Sequence, residues 1–290
     1  MFCRFGIESK GSVMSEKKRE FEYTQDDFNV LRKISNSHSG IIVTDDKFDM
    51  FYSRLAKRIR MLGLGSFKEY CEYLEANEAS EFTEFINAIT TNLTAFFREN
   101  HHFEFVKDVI IPDLIKRNYQ TKKITLWSAG CSTGEEPYSL AMTLLENLPS
   151  GWDVKILATD LDTNVLQTAA NGVYGSDRVS GLSNSQLKRW FKKGTGVNNN
   201  KVRVDPALQS LITFKQLNLM HGWPMKGKFD FIFCRNVIIY FDLATKEKLV
   251  NRYSQYLNTG SHLLIGHSES LHTIETDFDL IGNTIYRKVK

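Results

Sequence analysis

The chain has 290 residues, 42% of them apolar, with 37 Lys and Arg against 34 Asp and Glu for a net charge of +3. That is a soluble globular composition with length for one large or two medium domains, and so small an excess of charge argues against nucleic acid as a partner. The longest apolar stretch, from Phe229 to Phe241, is broken by Asp230, Arg235 and Asn236, so no membrane insertion is expected.

Four cysteines at 3, 71, 131 and 234 form no CxxC pair, which speaks against a disulfide framework or a metal site. The amino-terminal residues lack a continuous apolar core and a cleavage signature, so the expected compartment is the cytoplasm. Residues 1–20 are polar and aperiodic and are expected to form a flexible tail, with Met14 an alternative start. From 21 to 91 the pattern is helical. Thr24 before Asp26 and Asp27 reads as a helix start, Ser66 with Glu69 as a capping box, and Ser80 as the opening of a further helix. Four short helices are expected there.

Beyond residue 100 helices and strands alternate. A helix is expected over 103–115, strand 123–127, helix 135–148, strand 154–159 and helix 165–170. Strand 229–233, helix 245–257 and strands 262–265 and 284–288 follow. This alternation predicts an α/β, doubly wound, mostly parallel sheet. Between about 174 and 212 the rhythm breaks, and the Gly- and Asn-rich run at 194–209 reads as an inserted antiparallel hairpin.

Three strand ends carry chemistry. Strand 123–127 runs into Ser128-Ala129-Gly130-Cys131-Ser132-Thr133-Gly134 and then Glu135-Glu136-Pro137. Small residues at such a place let a ligand approach the backbone, although a plain tight turn has the same composition. The following acids would repel phosphate, and neither GxGxxG nor GK[ST] is present. The second strand closes on Asp160, a residue type that accepts hydrogen bonds from vicinal ribose hydroxyls or else caps the next helix. Together these features suit a nucleoside without a polyphosphate, and S-adenosyl-L-methionine is such a compound. The third strand ends at Cys234-Arg235-Asn236 with Tyr240 beyond. No histidine is placed to activate Cys234, which reads as an inert core thiol.

TNLTAFFRE (91–99), WSAGCSTGEEPYS (127–139), ATDLD (158–162), FCRNVIIYFD (233–242) and GHSES (266–270) resemble, in order, the motifs of the chemotaxis receptor glutamate methyltransferases, the CheR family. The resemblance runs from about residue 24 to the end. It implies a class I S-adenosylmethionine-dependent methyltransferase with an all-α domain over 21–91, a linker at 92–100, and a catalytic domain over 101–290 holding an inserted β-subdomain. The implied reaction moves a methyl group from S-adenosyl-L-methionine to glutamate carboxylates of methyl-accepting chemotaxis receptors, leaving S-adenosyl-L-homocysteine. Asn92, Thr94, Arg98, Glu136, Asp160, Asn218, Leu219, Asn236 and Val237 resemble the family's cofactor-binding positions. Arg98 and Tyr240 resemble the residues around the transferred methyl.

The helix at 46–62 buries Phe48, Phe51, Leu55, Ile59 and Leu62 on one stripe, and Arg54, Lys57, Arg58 and Arg60 are expected to fan over its flanks and outer side. A solvated basic face accounts for them equally well. The resemblance implies instead that they meet the acidic methylation helices of the receptor. Gly194-Thr195-Gly196 resembles the loop of family members whose β-subdomain grips a receptor C-terminal peptide by strand addition.

Overall fold

The computed structural model describes residues 19–290. Residues 1–18 of the expected tail, Met14 among them, lie outside the described residues. Arg19 and Glu20 are fastened to the helices by ion pairs with Asp49 and Arg60.

Four helices come first: α1 (Gln25–Ser39), α2 (Phe48–Leu62), α3 (Phe67–Ala76) and α4 (Glu78–Ile89). The Thr24 hydroxyl accepts the Asp27 N–H while the Asp27 carboxylate accepts the Thr24 N–H at 2.8 Å, a reciprocal cap. Ser66 accepts from the Glu69 N–H at the head of α3. Helix α4 begins at Glu78, ahead of Ser80, whose hydroxyl donates back to the Asn77 carbonyl rather than capping a new helix. Phe51, Leu55 and Ile59 of α2 are buried with Phe28, Leu31, Tyr70 and Phe85, and Phe48 and Leu62 flank them half-buried.

The helix expected over 103–115 is three pieces: α5 (His101–Phe105), a π-helical turn (Val106–Ile110) and α6 (Ile111–Arg117). Pro112 has no N–H to return to the preceding turn, and the ladder widens just before it. The sheet then builds from β1 (Lys123–Ala129), β2 (Asp153–Asp160), β6 (Ile212–Gln216), β7 (Phe229–Cys234), β8 (Leu257–Ile265), β9 (Phe278–Gly282) and β10 (Ile285–Lys288). Its order is β6-β2-β1-β7-β8-β10-β9, with the first five strands parallel and β10 antiparallel to both of its neighbours. Successive side chains of a strand face opposite ways. Leu126, Phe231 and Phe233 therefore enter one core, and Trp127, Ile232 and Cys234 the other. Helices α7 (Glu135–Asn147), α8 (Thr163–Asn171) and α11 (Leu243–Gln255) connect the parallel strands.

Between α8 and β6 stands a separate antiparallel sheet, β3 (Val173–Gly175), β4 (Phe191–Lys193) and β5 (Lys201–Val204), with β5 in the middle. The expected hairpin is its β4–β5 half. Helix α9 (Asn184–Trp190) leads into β4, and α10 (Pro206–Gln209) follows β5.

From β1 the chain steps one way to β2 and β6 and the other way to β7. The carboxyl ends of β1 and β7 therefore flank the reversal where such sheets bind ligands.

Candidate functional site

A cavity of about 390 Å³ opens at that reversal, within the size range of small-molecule sites. The sheet part supplies its floor through Asp160 at the end of β2, the loops after β1 and β7 (Gly130, Asn236) and Glu136 at the head of α7, and the helical part supplies a facing wall through Ser39, Ile41, Met50, Phe51 and Ile89. Nine of the residues anticipated from sequence line it: Asn92, Thr94, Arg98, Glu136, Asp160, Leu219, Asn236, Val237 and Tyr240. Asn218 stands beside it, but its side chain is turned away: Nδ2 donates to the His38 carbonyl at 2.6 Å and Oδ1 accepts from the Met220 N–H.

The small-residue loop after β1 is shaped by backbone demands. Gly130 lies at φ 85°, and a Cβ there would come within 2.2 Å of Val237 Cγ2, so the close approach excludes every other residue. Ser132 also takes a left-handed φ, 49°, and its N–H donates to Asp160 Oδ2 at 2.8 Å. The alternative of Asp160 as a helix cap is settled by its neighbour. Asp162 caps α8 through the N–H groups of Asn164 and Val165. Asp160 is left facing the cavity with two backbone donors, Ser132 and Asp162. Burial pushes its carboxyl up to about 6 against those N–H groups. An under-solvated carboxylate of this kind is matched by a pair of hydroxyls such as a ribose diol. Glu136 is buried, accepting from the Ser128 hydroxyl at 2.7 Å and from Arg235 Nη1 at 3.1 Å. Burial raises its carboxyl, and the Arg235 guanidinium opposes that rise.

Three further residues organise the site, and sequence reasoning passed over them although each lies inside a motif it quoted. Arg235, buried, binds Glu136 and also Glu99 at 3.2 Å, and donates to the Arg98 carbonyl. Burial alone would push Glu99 up, but the Arg235 guanidinium outweighs it and holds that carboxyl below its usual range. Glu99 also accepts from the His267 N–H at 3.0 Å. Glu269 takes three backbone N–H groups, from Gly266, Asn236 and Ile239. These contacts hold the turn at Ile238–Tyr240 and keep Asn236 at φ 58°. Gly266 has no room for a Cβ, which would lie 2.5 Å from Asn236 Nδ2.

Arg98 sits between two more left-handed residues, Phe97 at φ 52° and Glu99 at φ 56°. Non-glycine residues adopt this region only when their surroundings impose it. Here the Phe97 N–H is bound by the Ser139 hydroxyl at 3.0 Å, and Arg235 grips the next two residues. The Arg98 guanidinium is partly exposed and donates from Nη1 to the Leu93 carbonyl at 2.6 Å, and its nearest acid is Glu99, 4.0 Å away. Tyr240 is partly exposed on the same cavity. Cys234 is buried, accepts from the Tyr253 hydroxyl, and has its thiol raised by burial.

The basic residues of α2 depart from the expected outward fan. Arg58 forms a fork on Glu81, Nε at 2.8 Å from Oε1, with Glu81 buried and also bound by Tyr70. Arg54 donates from Nη1 to the carbonyls of Ile89 and Thr90, each at 2.6 Å, and from Nη2 to Thr91 Oγ1. The last turn of α4 leaves carbonyls without helical partners, and Arg54 satisfies two of them. Thr90 and Asn92 in turn both donate to Asp162 Oδ2, so Arg54 braces the strip of chain that walls the cavity. Lys57 and Arg60 alone of the four are exposed, Arg60 paired with Glu20. Among the described residues no helix is long and apolar enough to cross a membrane.

A family model described as "CheR methyltransferase, SAM binding domain" matches residues 92–287, and one described as "CheR methyltransferase, all-alpha domain" matches 26–90. The chain is 44% identical over 255 residues to the probable chemotaxis protein methyltransferase of Rhizobium etli, covering 87% of this chain and 95% of that one. It is 43% identical over 272 residues to chemotaxis protein methyltransferase 2 of Pseudomonas aeruginosa, covering 92% and 95%. With the chemotaxis protein methyltransferase of Escherichia coli the identity is 40% over 264 residues, covering 89% of each. A cavity at the reversal of a parallel sheet, walled on one side by the four-helix part, and matches running through both halves lead to one conclusion: the chain belongs to the CheR methyltransferase family, with S-adenosylmethionine as its cofactor.

Proposed function

We propose that this protein transfers the methyl group of S-adenosylmethionine to glutamate side chains of chemotaxis receptors, acting in the cytoplasm and forming glutamate methyl esters. The observation that carries the reading is Arg98. Among the described residues it has no carboxylate partner closer than 4.0 Å, and it lines the cofactor cavity, partly exposed, in a strained, doubly braced turn.

The cofactor supplies a methyl group on a sulfonium, which an anion can take directly. A glutamate carboxylate, with a reference pKa of about 4.3, is that anion at neutral pH and needs no general base. What it needs is aim and a dry site. Arg98 presents a planar fork matched to a carboxylate. Tyr240 offers a hydroxyl to the same cavity. Asp160 holds the ribose hydroxyls, Glu136 faces the cofactor's cationic tail, and Asn92, Thr94, Leu219, Asn236 and Val237 complete the cofactor walls. Asn218 contributes by fixing the segment that carries Leu219. The deciding experiment incubates the protein with methyl-labelled S-adenosylmethionine and receptor-containing membranes. Label on the receptor that base releases as methanol supports the reading. Label on another macromolecule, or on nothing, overturns it.

Asp160 gives the cofactor affinity a pH dependence. Its carboxyl titrates at about 6 in the free protein, and a ribose diol prefers the ionised form. Affinity for S-adenosylhomocysteine is therefore expected to be flat above neutrality and to fall as pH drops through about 6, by up to about tenfold per unit. Calorimetry near that pH, in buffers of different ionisation enthalpy, should register proton release on binding. An affinity constant from pH 5 to 8 would remove Asp160 from the ribose. The raised value also means that the folded protein holds the extra proton between its ordinary 3.8 and about 6. The group's contribution to the stability of the free protein accordingly shrinks as pH rises through that window.

The docking role falls to Lys57 and Arg60, the exposed cations of α2. Lys57→Glu is expected to raise the KM for receptor at low salt and to leave S-adenosylhomocysteine affinity unchanged. Arg54→Ala should do the reverse, weakening S-adenosylhomocysteine about threefold to tenfold without receptor present, because it releases two partly buried carbonyls at the cavity wall. Calorimetry on the two variants separates the roles. An Arg54→Ala protein of normal cofactor affinity would return Arg54 to the docking surface. β3 and β4 are the outer strands of the β3-β5-β4 sheet, and titration with receptor C-terminal peptides tests whether either of them adds one.

A further inference from the structure

Of the twelve large apolar side chains exposed among the described residues, three line the cofactor cavity, Ile42, Leu93 and Tyr240, and two more, Ile239 and Leu243, flank Tyr240 in the chain. Scattered single exposures are ordinary, but a cluster around an opening is not. Ile42, Leu93 and Tyr240 each line the cofactor cavity while remaining open to solvent, so they stand at its mouth. They come from three different parts of the chain. Ile42 follows α1, Leu93 precedes the Arg98 turn, and Tyr240 closes the turn after β7. The Ile42 N–H donates to the Tyr240 carbonyl at 2.8 Å, which joins the helical half of the rim to the sheet half. Ile239 shares the turn with Tyr240, and Leu243 opens α11 just after it. Arg98 lines the same cavity, and its guanidinium reaches back to the Leu93 carbonyl.

We infer that this apolar rim is the seat for the receptor helix that carries the target glutamate, and that the seated helix itself closes the site to water. The inference rests on the function proposed above. The occupant follows from the chemistry of the mouth. An apolar rim beside the Arg98 cation accepts a surface that is apolar around a carboxylate, and an amphipathic helix offers such a surface with its backbone donors and acceptors already satisfied. Transfer between carboxylate and sulfonium is fastest where water is excluded. A rim of isoleucine, leucine and tyrosine can expel water only when an apolar surface covers it, and that covering is favourable by about 25 cal/mol per Å². Binding and drying of the site are thus the same event.

Ile239 and Leu243 do not line the cofactor cavity, so they can be altered without touching it. In the double variant Ile239→Ser, Leu243→Ser, the KM for receptor-containing membranes should rise at least tenfold, while S-adenosylhomocysteine affinity by calorimetry stays within twofold. The ratio to wild type should persist in about 1 M salt, where the Debye length is about 3 Å, whereas the Lys57→Glu defect should vanish there. An unchanged KM in the double variant, with wild type methylating receptors normally, overturns the rim and spares the proposed function. Absence of base-labile label on receptors with wild type overturns both. A double variant that loses S-adenosylhomocysteine affinity shows that these side chains support the cavity instead, and overturns the rim as well.

Discussion

Replacing Arg98 with alanine is expected to slow methyl transfer about a hundredfold, while affinity for S-adenosylhomocysteine changes by less than about fivefold. A preorganised donor aimed at a reacting oxygen is worth roughly two to three powers of ten in rate. Arg98 can act so because it is held without being neutralised. Its main-chain carbonyl is gripped by Arg235, and the turn is pinned through Phe97 and Ser139. Its guanidinium, by contrast, has one main-chain acceptor. Arg98→Lys keeps the charge and loses the fork, so it should recover only part of the rate. Single-turnover methylation of receptor membranes at saturating cofactor gives the rate, and calorimetry gives the affinity. Equal losses in both would make Arg98 a cofactor-binding residue and nothing more.

The second large effect is on stability. Arg235→Ala removes a buried guanidinium from between Glu99 and Glu136, leaving two carboxylates facing each other across the gap it vacates. Breaking a buried pair from one side costs roughly 3–5 kcal/mol. The loss should be largest near neutral pH and shrink in acid, because both stranded carboxyls then take up protons and the charge that needed a partner is gone. Urea unfolding of the cofactor-free protein at pH 7.5 and pH 5 measures this. Glu136→Gln in the Arg235→Ala background should recover part of the loss at the higher pH. A loss that is the same at both values would assign the destabilisation to lost packing against Phe103 and Phe233, which flank the guanidinium.

How far the sequence reaches depends on whether the partners of a residue are near it in the chain. Thr24 and Ser66 were legible because a cap is settled within three residues. Strands β1, β2 and β7 were legible as apolar runs between turn residues. Strands β6 and β9 were not: much of Ile212–Gln216 and most of Phe278–Gly282 is exposed, so neither carries the burial pattern that marks a strand. In the site, Asp160 could be read because it closes a strand, although only the structure shows that Asp162 relieves it of capping. Arg235 could not be read, since its two carboxylates come from positions 99 and 136. Arg54 was the least legible of the basic residues. Its acceptors are main-chain carbonyls, which every residue has, so nothing in the sequence distinguishes a brace from a docking charge. The segment TNLTAFFRE carried its meaning only through the family resemblance, because left-handed backbone at Phe97 and Glu99 leaves no compositional trace.

The cavity takes one wall from the helices and the other from the sheet, and this has a consequence for the loaded protein. A molecule clasped from both sides rivets the two halves together: at a hundred times its dissociation constant it adds about 2.7 kcal/mol to whatever already joins them. Loaded protein should therefore melt as one block and resist proteases along the seam near Thr90–Asn92.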